Sequence, residues 1–120
     1  MKFLKQKDFK QGLVCDSLEE MGLVCFIHPD SPYCDNMVKH LFHAENGFRG
    51  VDYAICDVKE NFKVIELSEG LGEFKLEVVP FLIFYFQGKP YSVYNNGADS
   101  HNIISYLRTM NQELFDQLSF

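Results

Sequence analysis

Apolar positions along this chain follow two rhythms, and the switch from one to the other places the elements. Residues 23–27 (LVCFI) form an unbroken apolar run, as in a strand covered on both faces. After HPDSPYC, the residues Cys34, Met37, Val38, Leu41 and Phe42 recur at i, i+3, i+4, i+7 and i+8, with Asp35, Lys39 and Glu45 turned away. That spacing predicts an amphipathic helix ended by Asn46-Gly47. Residues 51–58 (VDYAICDV) are β-rich again, so strand, helix and strand make a βαβ unit with a right-handed connection. Two further strands, 81–86 and 90–94, are separated only by the turn QGK. So short a turn joins antiparallel neighbours.

Weaker patterns fill the gaps. A short first strand is predicted within 3–7. A first helix is predicted over 9–21, carried by Leu13, Val14, Leu18 and Met21 and stopped by Gly22, and an acidic helix over 61–71. The last helix starts at Ser100 and carries Ile103, Ile104, Leu107, Met110, Leu114 and Leu118 on one side. The order βαβαββα predicts an α/β fold: a mixed central sheet of four to five strands flanked by helices on both faces.

Composition narrows the classes of function. With 120 residues, 47% hydrophobic and 15% aromatic, the chain builds one core and is too short for two ordinary domains. Residues 1–120 are expected to form a single domain, with 111–120 as a C-terminal helical extension. A formal net charge of −6 gives no electrostatic footprint for nucleic acid or anionic lipid. The longest apolar run, 78–86 (VVPFLIFYF), is interrupted by proline, whereas a membrane-spanning helix needs about 20 residues. It reads as a buried strand. The start, MKFLKQKDFK, lacks the apolar core of a secretory signal. Four cysteines, none in a C-x-x-C or zinc-like spacing, suit buried thiols of a reducing compartment. The expected location is intracellular and cytoplasmic.

In their order and spacing, four stretches resemble the thioredoxin-like superfamily over about residues 23–108. They are LVCFIHPDSPYC as strand, turn and helix start, ICDVKEN with Asp57 at a strand end, VVPFLIFYFQGKP as a proline-led hairpin, and Gly97 before the last helix. The resemblance implies a thioredoxin-like fold with a dithiol site at the tetrapeptide SPYC. There Ser31 stands where relatives carry the nucleophilic cysteine, and Cys34 stands where they carry the resolving one. The chain is thus similar to a redox-degenerate member, with S-x-x-C in place of C-x-x-C. An alcohol cannot exchange with a disulfide, which removes ordinary dithiol catalysis at this motif.

The residues also carry plainer readings. Serine is a favoured N-cap and proline a favoured first helical residue, so Ser31-Pro32 reads as a helix start without catalytic demand. Cys34 lies on the apolar stripe and reads either as a small buried hydrophobe or as a thiol that meets disulfides. By resemblance, Cys25 sits where relatives carry a buried acid, making it a candidate second thiol; a Cys25–Cys34 disulfide requires Cα atoms within about 7 Å. The resemblance further implies that Pro80 is the cis proline facing the turn, and that the backbone of Val79 pairs with an extended client. With Phe81 after that proline and Tyr33 inside the tetrapeptide, the implied groove is apolar. Its aromatics read either as core or as a protein-contact patch.

His28, His40 and His43 with Cys34 lack a second ligand pair at zinc-like spacing, so no metal is expected. No cofactor motif is present. The apolar stripe continues through Leu114, Phe115, Leu118 and Phe120, either along the chain's own core or as a docking face for a partner. Two functions remain. One is a non-catalytic protein-binding or structural module, as part of a larger assembly, holding a protein partner through the proline groove or the last helix, with oligomerisation left open. The other is an atypical thiol–disulfide oxidoreductase using Cys34, alone or with Cys25.

Overall fold

Two parallel and two antiparallel pairings hold five strands in one sheet, in the order β1-β3-β2-β4-β5. The computed structural model describes residues 1–118, without the side chain of Leu118. The strands are β1 (Lys2–Leu4), β2 (Met21–Ile27), β3 (Asp52–Asp57), β4 (Phe81–Phe86) and β5 (Lys89–Tyr94). β3 runs parallel to both β1 and β2, while β4 is antiparallel to β2 and β5. β2 is therefore central, and Leu23 to Phe26 are fully buried, as an unbroken apolar run requires.

Alternation along the strands divides the core in two. Leu23, Cys25, Ile55, Leu82 and Phe84 face the helices α1 (Pro32–Gly47) and α3 (Ser100–Leu118), whose Leu41, Ile103 and Leu107 cover them. Val24, Phe26, Cys56, Ile83 and Tyr85 face the other side, under Phe9, Leu13, Leu18 and Val64. That second cover is irregular. It consists of the five-residue α2 (Lys63–Leu67) and of 3-10 turns at Gln6–Asp8, Gln11–Leu13 and Gly72–Phe74. The mixed sheet with helices on both faces is the architecture the sequence predicts.

The first helix, expected over 9–21, does not form. Gly12 and Leu13 take left-handed conformations, at φ 74° and 57°, which no α-helix accommodates. The backbone groups are satisfied elsewhere. The Tyr85 hydroxyl donates to the Leu13 carbonyl at 2.8 Å, the Cys15 N–H donates to the Gly88 carbonyl, and the Gln87 N–H donates to the Glu20 carbonyl. Gly22 lies inside β2 rather than capping a helix. The expected helix over 61–71 shortens to α2 because Ser68 turns the chain: its hydroxyl donates to the Ile65 carbonyl and accepts from the Leu76 N–H. The run 78–86 enters the sheet only at Phe81, and Val78 is exposed.

Candidate functional site

β2 ends at Ile27, and the chain turns through His28, Pro29 and Asp30 into α1. Ser31 is the N-cap: its hydroxyl accepts the Cys34 N–H at 3.3 Å, with Pro32 in the first turn. The Ser31 carbonyl accepts from the N–H groups of Cys34 and Asp35, and the Ser31 N–H donates to the His28 carbonyl. The turn thus closes on itself through ordinary capping. Ser31 is half-buried and Tyr33 is 78% exposed.

Cys34 sits one turn inside, fully buried, and its Sγ accepts the His28 N–H at 3.5 Å. Cys25 lies on β2 in the core beneath α1. Cys15, Cys25, Cys34 and Cys56 are all buried and all free thiols. Burial raises the Cys25 thiol far above its ordinary range, helped by the neighbouring Cys34. Burial likewise pushes Cys56 up to about 12, with Asp57 adding to the effect, and Cys15 is raised for the same first reason. A buried, protonated thiol is a poor nucleophile.

The Val79–Pro80 peptide bond is cis. Because Phe81 pairs with Phe26 across β4 and β2, Pro80 stands at the same sheet end as the 28–34 turn. Val79 and Phe81 are half-buried and lean on the core of the irregular face, whereas Tyr33 projects from α1 into solvent. The four groove residues therefore share one end of the sheet without forming one aromatic cluster. Val78, 67% exposed, is the apolar residue at this end that sequence reasoning missed; the run VVPFLIFYF masks it, since nothing in the run marks where the strand begins.

No group of three or more His, Cys, Asp or Glu side chains suited to a metal ion occurs among the described residues. His40 is engaged within the fold instead, where its Nδ1 accepts the Ser100 N–H at 3.3 Å and ties α1 to the start of α3. On α3, Leu114 is buried in the chain's own core and Phe115 is 65% exposed; the side chain of Leu118, and Phe120, lie outside the described residues. Among the described residues no helix is long and apolar enough to cross a membrane.

No family model matches the chain, and no curated protein matches it. Solved structures do. A crystal structure of human ERp44 superposes at TM-score 0.64, with 15% identity over 75% of this chain and 27% of that one. Human ERp44 in its zinc-bound form gives 0.69 and 11%, over 90% and 30%, and its form I gives 0.72 and 12%, over 91% and 29%. The chain spans less than a third of the length of those proteins. At such identities the likeness concerns the fold alone, and that fold is thioredoxin-like.

Proposed function

We propose that this thioredoxin-fold chain is a protein-binding or structural module without dithiol chemistry, serving as part of a larger assembly. The observation that carries the reading is the Ser31 hydroxyl at the N-cap of α1, where a thiol nucleophile would need to stand, in a chain whose four thiols are all buried. A helix N-terminus activates sulfur by stabilising a thiolate, and a serine hydroxyl there accepts a cap bond instead. The partner surface is the end of the sheet bearing Tyr33, Val78, Val79, Pro80 and Phe81, with Phe115 as a second apolar contact. Four unpaired thiols suit a reducing, intracellular setting.

Insulin reduction and glutathione-disulfide turnover by the purified chain test the reading directly. No turnover is expected, and photo-crosslinkers at Tyr33 and at Val78 should capture the same protein, which a crosslinker at Glu69 does not. Turnover that disappears in Cys34→Ser would overturn it. The alternative, an oxidoreductase working through Cys34, has one specific support: the His28 N–H donates to Sγ at 3.5 Å, so this thiol, alone of the four, lies in the 28–34 turn. A Ser31→Cys variant separates the two, since a gain of insulin reduction only on restoring the second thiol shows a scaffold that lacks nothing but the nucleophile.

A further inference from the structure

Two Asn-Gly pairs occur along the chain, Asn46-Gly47 and Asn96-Gly97. The pair is chemically labile. The asparagine side-chain carbonyl carbon lies within reach of the next residue's backbone nitrogen, and a following glycine has no Cβ to hinder the approach. The fold treats the two pairs differently.

Gly47 is the last residue of α1, where an N–H is held by the carbonyl four residues back, and the next N–H, that of Phe48, donates to the Ala44 carbonyl at 2.9 Å. Here α1 also presses on α3: a Cβ on Gly47 would stand 2.8 Å from Ile104 Cδ1. Asn46 is therefore exposed, but the nitrogen beside it is fixed. Asn96-Gly97 lies instead in the loop between β5 and α3, with both residues exposed. Neither the Asn96 side chain nor the Gly97 N–H has a hydrogen-bond partner among the described residues, and a Cβ on Gly97 would meet nothing within 4 Å. This loop is held through its carbonyls. The Tyr94 hydroxyl donates to the Gly97 carbonyl at 2.6 Å, and the Asn102 side-chain amide donates to the Asn96 carbonyl at 3.0 Å.

We propose that Asn96 is a site of spontaneous deamidation, from which Asn46 is shielded by its helix. The Gly97 nitrogen attacks Asn96 Cγ. The new C–N bond closes a succinimide ring, and the side-chain nitrogen leaves as ammonia, carrying the proton that the Gly97 nitrogen gives up. Water then opens the ring at either carbonyl, so that one amide and one water become one carboxylic acid and one ammonia, as aspartate or as isoaspartate. Both products add a negative charge to the loop. Isoaspartate also routes the main chain through the former side chain, lengthening it by one carbon and drawing the Gly97 carbonyl off the Tyr94 hydroxyl. Tyr94 is buried, edge-on to Tyr106 with ring centroids 5.1 Å apart, and Asn102 lies in the first turn of α3. The modification thus acts on the end of β5 and the start of the last helix together.

The full chain, kept at neutral pH and body temperature and followed by peptide mass mapping, tests this. Conversion to the acid at Asn96 is expected at least about tenfold faster than at Asn46, which must wait for the helix end to open. Part of the product should be isoaspartate, detected by enzymatic carboxyl methylation. In guanidinium chloride the two sites should convert at similar rates, since both then carry a free glycine N–H. New amide NMR signals at Tyr94 and Asn102 should grow with the conversion, and Asn96→Gln, at an exposed position, should abolish them. Asn46 converting as fast as Asn96 in the folded chain, Asn96 remaining an amide while the unfolded chain converts it, acid formed without isoaspartate, or the same new signals in Asn96→Gln would each overturn the proposal.

Discussion

The two faces of the sheet are covered by different physics. On one, α1 and α3 lay continuous apolar stripes on the strands, and the cover follows from helical periodicity and burial. On the other, the chain between residues 6 and 20 and around α2 is irregular, and its backbone groups are satisfied one by one. Asn61 is the clearest case: buried, it accepts the Gln6 N–H at 2.9 Å and donates to the Asp57 carbonyl at 2.9 Å. A helix satisfies its backbone internally, so its packing tolerates local change. An irregular cover depends on individual side chains, because a buried backbone group left unpaired carries its full desolvation penalty.

The sharpest way to break the helical face is to remove volume from it. Leu107→Ala, at a fully buried position, should cost about 2–5 kcal/mol, read as a lowered urea midpoint at unchanged slope. An unaltered midpoint would show that α3 does not seal this core.

Alkaline pH should act next, with thiols of the irregular face contributing directly. Cys56 titrates near 12 in the folded chain against an ordinary 9.0. Above pH 9 the unfolded chain loses this proton while the folded one keeps it, so stability is fully present below that pH and falls as pH rises toward 12. Cys56→Ala should flatten this decline, and urea melts between pH 8 and about 11 check it.

Asn61→Ala should cost about 1–3 kcal/mol, and its signature should be local: amide exchange accelerating at Gln6 and its neighbours while α3 stays protected. Uniform acceleration across both faces would contradict the contrast between them. Tyr85→Phe takes the hydroxyl from the Leu13 carbonyl at the cost of about 1 kcal/mol, again with faster exchange confined to the first 20 residues. The smallest effect belongs to His40→Ala. Loss of the acceptor for the Ser100 N–H should cost at most about 1 kcal/mol and show as fraying of the first turn of α3.

The same contrast explains what could be read in advance. β2, α1, β3, the β4–β5 hairpin and α3 all stand close to where their periodicities put them, because each pattern repeats over enough residues to outweigh local preference. The helix expected over 9–21 fails for the opposite reason. Its four apolar residues fit helical spacing, yet Leu13 and Leu18 reach the core by another route, since Tyr85 and the 87–88 turn, distant in sequence, supply partners for the backbone. At the candidate site, the cap by Ser31 was legible from Ser-Pro before an apolar stripe. The exposure of Val78 and the tie from His40 to Ser100 were not, since each depends on residues far apart along the chain.

By itself the sequence determined the strand and helix order, the mixed sheet, the capped start of α1 and the absence of a thiol at Ser31. These are local quantities: periodicity, capping chemistry and residue identity. Only the tertiary structure decided how the N-terminal 20 residues cover the sheet, and that all four thiols lie buried and unpaired. Each of those depends on which distant groups meet, and burial and hydrogen-bond partners arise only once the chain has closed on itself.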